Sequence, residues 1–420
     1  MSYSDWKTTK LFNLINTISE TYKFSENQKV VLINTSDILE GKVLNHNNEL
    51  PVNVAGQFKK TFKKNDILYS EIRPANKRYA YIDFESKNYV ASTKLMVLRI
   101  KNNEIDTKFL YQFLKSEDTL RTLQAVAESR SGTFPQITFT ELSNLEINLP
   151  TIKEQETIAN ILSSLDDKIE LNNKINKNLE ELAQTLYKRW FVDFEFPNED
   201  GEPYKSSGGE MVDSELGMIP KGWEAKTIDE ITAFNKRGLA PKYGETKNGT
   251  PVINQRCIRN HTIIEEAVQY HDNTIKKAPN NLYHQPWDVL INSMGVGTLG
   301  RVSISSISEF KLVHSCITIL RANNRVILEP IFSYMMLGFE SAFIEMGEGS
   351  TGQTSLNNKL LGKLEVVVPP MNLQQTIVSF FKDTQEKIDN NYSQNKRLVS
   401  IRDELLPKLM SGEIEVPIEE

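Results

Sequence analysis

Leu145-Glu-Ile-Asn-Leu-Pro150, followed by Gln155 and Ile158, recurs as Leu364-Glu-Val-Val-Val-Pro369, followed by Gln374 and Ile377. The second occurrence lies 219 positions after the first. Toward the start of each copy, Asn65-Asp-Ile-Leu-Tyr-Ser70 answers Trp287-Asp-Val-Leu-Ile-Asn292, and Val97-Leu-Arg99 answers Ile319-Leu-Arg321, both at an offset of 222. Trp6-Lys-Thr-Thr-Lys-Leu11 answers Trp223-Glu-Ala-Lys-Thr-Ile228 at an offset of 217. Separate blocks that keep their order, with only small insertions between them, mark a duplicated unit.

Beyond the repeated proline the apolar period becomes helical, entered through Pro150-Thr151 with acidic residues in the first turn. Ile158, Leu162, Leu165, Ile169, Asn172, Asn176, Leu179, Ala183, Leu186 and Trp190 alternate four and three apart, a coiled-coil seam. Adding 219 gives the seam of the second copy, from Ile377 to Leu409, with Asn391 and Asn395 at its centre and Arg402 where the first copy has Ala183. A buried asparagine without a partner is costly, so Asn172, Asn176, Asn391 and Asn395 are expected to form polar layers between the helices. The first helix ends where the second module begins, which favours an antiparallel pair with a module at each end and a pseudo-twofold chain.

The stretch ahead of each helix mixes short β-like runs (Lys29 to Ile33, Asp66 to Tyr69, Leu95 to Ile100) with helix-like ones (Thr107 to Gln124, Pro330 to Glu345). The expected class is α+β: two tandem modules, each followed by a long helix, the helices pairing as an antiparallel coiled coil. At 420 residues the chain is long enough for two or three domains. The expected boundaries are a first module at 1–150, its helix at 151–196, a linker at 197–217, a second module at 218–370, its helix at 371–412 and a tail at 413–420. The linker expectation rests on the Gly, Ser, Pro and charge density of Asn198 to Glu210.

The same residues argue against several functions. No apolar run is long enough for a signal peptide or a membrane span, and two cysteines, Cys257 and Cys316, fit a reducing compartment, so a cytoplasmic protein is expected. Gly295-Val-Gly297-Thr-Leu-Gly300 is a literal GxGxxG, but a strand pattern follows where a dinucleotide site requires a helix; it reads as a hairpin loop. Asp66 with Glu85-Ser-Lys87 is only a loose nuclease pattern, and the five histidines lack zinc-ligand spacing. No Asn/Asp-Pro-Pro-aromatic loop of a base-amino methyltransferase is present. A net charge of −6 excludes a uniformly basic DNA-coating protein but not a local basic patch.

Several blocks carry a resemblance: Leu149-Pro-Thr-Ile-Lys-Glu-Gln155 with Ile158-Ala159, Leu165-Asp-Asp-Lys-Ile169, and Leu186-Tyr-Lys-Arg-Trp-Phe-Val-Asp-Phe194. Leu216-Gly-Met-Ile-Pro-Lys-Gly-Trp223 and Leu405-Leu-Pro-Lys-Leu-Met-Ser-Gly412 add to it. Together and in order they resemble the specificity subunits of type I restriction-modification systems, over essentially the whole chain. The resemblance implies a chain without catalysis or cofactors of its own, rather than a DNA methyltransferase or nuclease acting alone. It implies two target-recognition domains, each reading one half of a bipartite site in double-stranded DNA. It also implies two methyltransferase (modification) subunits and ATP-driven restriction (motor/nuclease) subunits as partners, and no membrane.

A helix of about 36 residues is ~54 Å long, roughly 16 base pairs of B-DNA, so the rod is expected to act as a ruler. Base reading is expected from loops, through arginine and amide side chains, with lysine positioning phosphates. The candidates in the first copy are Arg73, Lys77, Arg78 and Tyr79, with Arg130, Ser131 and Thr133 in a second loop. In the second copy they are Lys236, Arg237, Arg256, Arg259, Thr298 and Arg301, with Ser350 to Gln353 as the second loop. Arg78 and Arg301 align if one residue is inserted. Lys59-Lys60 and Lys63-Lys64 are further candidates for steering DNA.

Overall fold

A computed structural model describes residues 6–25, 27–52, 54, 56–130, 132–243, 249–305, 310–348 and 355–417. The chain folds as two compact units, Met1–Glu170 with Asn395–Glu420, and Leu171–Gln394. Each unit therefore takes one module and half of each long helix, so the units do not follow boundaries at 150 and 370.

In the first unit, Lys7–Lys10 pairs antiparallel with Glu146–Leu149, closing the module next to the helix start. A four-stranded antiparallel sheet follows in the order Ile15–Thr17, Leu95–Ile100, Ile67–Ser70, Tyr79–Tyr81. The second unit repeats both: Glu224–Thr227 with Glu365–Val368, then Thr232–Arg237, Ile317–Ala322, Val289–Asn292, Val302–Ile304. The long helical run expected in each module is two helices. Thr107–Lys115 stops at Ser116, whose hydroxyl accepts from Thr119 N, and Glu117–Arg130 begins there.

Two buried constructions explain the most faithful part of the repeat. Gln155 Nε2 donates to Glu104 O and Pro150 O, each at 3.0 Å, while its Oε1 accepts from Asp106 N. Gln374 makes the same three bonds, to Val326 O and Pro369 O and from Leu328 N. Each glutamine is fully buried and ties the first turn of a long helix to the loop after a central strand. Arg99 bonds both oxygens of buried Asp66 at 2.7 Å, and Arg321 bonds both of buried Asp288 at 2.7 and 2.6 Å. A buried carboxylate persists only when paired in this way. Asp66 is thus part of the frame, matched in both copies, and its carboxylate is occupied.

The three-stranded sheets differ between copies. Val31–Ile33 runs parallel to Tyr89–Ser92, and Phe58–Lys60 joins the second of these. In the other unit Thr250–Ile253 runs parallel to Leu312–Val313, but Gln269–His271 joins the first. The duplicated parallel pair is kept while the added strand changes sides.

The long helices span Ile152–Tyr187 and Met371–Ser411. Thr151 and Glu154 close a capping box on the first, with Thr151 N and Oγ1 each 2.7 Å from the Glu154 carboxylate. The helices pair antiparallel. In the second unit Asn172 Nδ2 donates to Gln394 Oε1 at 2.7 Å, and farther along Asn391 Nδ2 donates to Asn176 Oδ1 at 2.7 Å. Asn172, Asn176, Asn391 and Asn395 are all buried. In the first unit Ile158 and Leu162 share a core with Leu406 and Leu409. The repeat's one charged seam position has a local cause: Arg402 is 3.0 Å from Asp166 and 2.8 Å from Asp403, whereas Ala183 sits fully buried among apolar groups.

The Gly/Ser-rich segment between copies is a folded loop rather than a free tether. Tyr204 stacks on Phe196 at 4.5 Å and Phe196 stacks on Trp223, so three rings hold down a loop whose other residues are mostly exposed, as its composition suggests. Among the described residues, no helix is long and apolar enough to cross a membrane.

Candidate nucleic-acid interface

In each module, described segments beside the candidate loops are joined at one rim. In the first, Arg73 N donates to Pro135 O at 3.0 Å and its guanidinium to Thr133 O at 3.3 Å, joining the 73–78 loop to the 132–135 loop. In the second, Met294 bridges to Ser355, and Arg237 donates to Leu356 O at 2.7 Å. Both hairpins diverge from equivalent strands, since Ser70 N bonds Arg78 O and Asn292 N bonds Arg301 O. That pairing places Arg78 and Arg301 at the same backbone position, one residue having been inserted.

The candidates differ in what their side chains are free to do. Arg73 is exposed, with φ of 42°, and Lys77, with φ of 54°, reaches Glu117 at 2.7 Å and Glu40 at 3.9 Å. Arg78 donates to Ser36 O and Ile38 O and so braces a neighbouring hairpin. Tyr79 is a correction: it is buried, stacked on Tyr69 and edge-on to Tyr111, and is a core group rather than a surface contact. Arg130 pairs with Glu141. Ser131, Ser350 and Gln353 lie outside the described residues. Lys60 is also a core group: it is buried, donating to Thr93 O at 2.9 Å and Leu95 O at 2.7 Å, and burial holds its pKa below the usual lysine value.

In the second module Lys236 and Arg256 are exposed, Arg237 is half-buried, and Thr298 Oγ1 is 3.4 Å from Gly295 O. The GxGxxG stretch is a hairpin loop, joining Val289–Asn292 to Val302–Ile304 with Ile291 opposite Val302. Gly295, Gly297 and Gly300 have φ of 115°, 73° and 81°, which only glycine adopts without strain. At Gly300 a Cβ atom would stand 2.4 Å from Ile344, so this glycine also seats the hairpin on a helix.

Arg259 and Arg301 also take part in a second grouping. With Lys177, Glu180, Gln184, His261, Glu340 and Tyr392 they line an open cleft of about 930 Å³ between module and helices of the second unit. His261 Nε2 is 3.5 Å from Glu340 and its Nδ1 is 3.1 Å from Gln184 Nε2. Burial pushes the Glu180 carboxyl up to about 7; His261 pulls it down and Glu181 pushes it up by lesser amounts. Burial also raises Glu340, but hydrogen bonds with His261 and Val302 N outweigh this and leave it below the usual value. Sequence reasoning missed this cleft, because its members come from five separated segments. It also missed Gln255, whose backbone carbonyl accepts from buried Asn292.

The chain is thus a duplicated α+β module whose copies share a buried frame and differ in the described rim segments. The family model described as type I restriction modification DNA specificity domain matches twice, over residues 3–181 and 220–399, and the chain belongs to that family of non-catalytic specificity subunits. The type I restriction enzyme HindI specificity subunit of Haemophilus influenzae is 31% identical, across 98% of this chain and 100% of that one. The MjaIX specificity subunit of Methanocaldococcus jannaschii is 28% identical over 76% of this chain and 71% of its own length. The fold is shared with the S subunit of a type I restriction-modification system from M. genitalium (TM-score 0.55, 19% identity, 97% of this chain and 96% of that one).

Proposed function

We propose that residues 1–150 and 218–370 act as two target-recognition domains, each reading one half of a bipartite site in double-stranded DNA. The paired helices set the gap between the halves. The chain works in the cytoplasm as the address-giving member of a complex with two methyltransferase subunits and with restriction subunits. The observation that carries this reading is the contrast within the repeat. The glutamine ties and the aspartate-arginine pairs are copied bond for bond, while the rim loops differ in length, charge and glycine content, as two readers of different sequences require. Arg73, Lys77, Arg130 and Thr133 serve the first rim, and Lys236, Arg237, Arg256 and Thr298 the second. Arginine bonds guanine edges or phosphate there, and lysine positions the backbone. A helix of 36 residues spans ~54 Å, or roughly 16 base pairs.

Sequencing the methylated motifs of a host with and without this system tests the reading. Replacing residues 218–370 with the corresponding module of a relative is expected to change one half of the modified motif and preserve the other half and the spacer. A motif that changes in both halves, or no modified motif at all, refutes it.

A further inference from the structure

Val296 is 91% exposed, more than any other large apolar side chain among the described residues. It stands at the tip of the loop joining Val289–Asn292 to Val302–Ile304, between two glycines in the left-handed region. The base of the loop is firmly seated. Leu299 is buried, Gly300 lies against Ile344, and Asn292 Nδ2 donates to Thr298 O at 3.1 Å and Gln255 O at 3.0 Å, holding the two rim segments together. Around the tip the surface is polar and cationic. Arg237 Nη1 is 3.5 Å from Met294 Sδ, Arg256 is exposed, and a Cβ at 295 would stand 3.8 Å from Gln255 Cγ and 4.0 Å from its Nε2. The loop closes the last two strands of a four-stranded sheet, and its apolar tip with flanking amide and guanidinium groups matches what base edges display in the major groove.

We propose that Val296 is a base-specificity residue of the second module, covering the C5 methyl group of a thymine in the major groove. Gln255, which lies against the neighbouring Gly295, takes an adenine N6/N7 edge next to that thymine. The proposal rests on the reading of this module as a DNA reader and adds which chemical group it reads. The methyl is the one apolar feature of the major-groove edge, and an exposed valine gains by covering it. The glycines on either side let the backbone approach the bases closely.

The test uses the full chain assembled with its modification subunits, and duplexes in which each thymidine of the half-site read by the second module is replaced in turn by deoxyuridine. At one position the wild type is expected to lose about three- to tenfold in affinity, the value of one buried methyl group. The Val296→Ala variant binds the two duplexes equally, and Val296→Thr, which keeps one methyl, retains part of the discrimination. An unchanged melting temperature and unchanged affinity for the other half-site show that the variants are folded. A wild type indifferent to every replacement, a half-site without thymine, or a V296A variant as sensitive as the wild type overturns the proposal alone. Loss of all sequence preference in the wild-type complex overturns the reading beneath it as well.

Discussion

Asn391 donates its Nδ2 hydrogen to Asn176 Oδ1 at 2.7 Å, with both side chains buried in the helix pair of the second unit. Asn176 in turn donates to Ile388 O at 3.3 Å. Substituting Asn391→Leu leaves the Asn176 carbonyl in an apolar seam, at a cost of about 1 to 3 kcal/mol. Replacing both by leucine removes the stranded group and is expected to recover part of that loss. Urea denaturation of the single and double variants checks this; a double variant less stable than the sum of the singles speaks against a paired polar layer.

Asp288 has no exposure and depends on Arg321 for its charge compensation. Removing the guanidinium by Arg321→Ala is expected to cost about 3 to 5 kcal/mol, because a buried charge loses its partner. Arg321→Lys restores one point of contact instead of two and recovers only part. The readout is the denaturation midpoint at unchanged slope. Equal stability of the lysine variant and the wild type would show that the two-point geometry is unimportant.

Glu180 shares its cleft with Lys177 and Glu181 on its own helix, Tyr392 on the other, Arg259 and His261 on the hairpin, and Arg301 and Glu340 on the module. Its carboxyl titrates at about 7 in the folded chain, chiefly because it is buried, against about 4.3 when unfolded. A raised acid pKa means the fold holds the proton more tightly. Its contribution to stability is therefore present below about pH 4 and is lost as pH rises to about 7. Glu180→Gln removes that loss, so the variant is expected to gain in melting temperature relative to wild type between pH 5 and pH 8. A difference that stays constant over this range contradicts the assignment.

Arg301 lines the cleft and donates to Gly297 O at 2.9 Å, bracing the loop whose tip is Val296. Arg301→Ala is expected to weaken binding through one half-site. A contact to a base edge costs about 1 to 3 kcal/mol and relaxes preference at one position, whereas a phosphate contact lowers affinity for all sequences and the salt slope by about 1. Titration at several salt concentrations separates these outcomes. Unchanged affinity and preference remove Arg301 from the interface.

The repeat and the helical seam were legible because each is a periodic signal: Ile158, Leu162, Asn172, Asn176 and Ala183 fall on one buried stripe as their spacing requires. Tyr79 was misread because it ends a run of basic residues. The strand Tyr79–Tyr81 begins there, and both of its faces are covered, Tyr79 lying in one core cluster and Ala80 in another. Lys60 was misread for a related reason. Its stem lies in the core and two carbonyls take its ammonium, an arrangement made by residues 33 and 35 positions away. The rim was half legible. Turn-forming and basic residues located the loops, but the bonds that join them link positions about 60 apart, and the cleft gathers side chains that no spacing rule connects.

The first compact unit needs both Met1–Glu170 and Asn395–Glu420, and Leu406 and Leu409 are buried in its core. The second is complete by Gln394. The first module is therefore sealed by a segment that lies beyond the whole of the second, so a cut in the chain just after Gln394 opens the first unit and leaves every residue of the second in place.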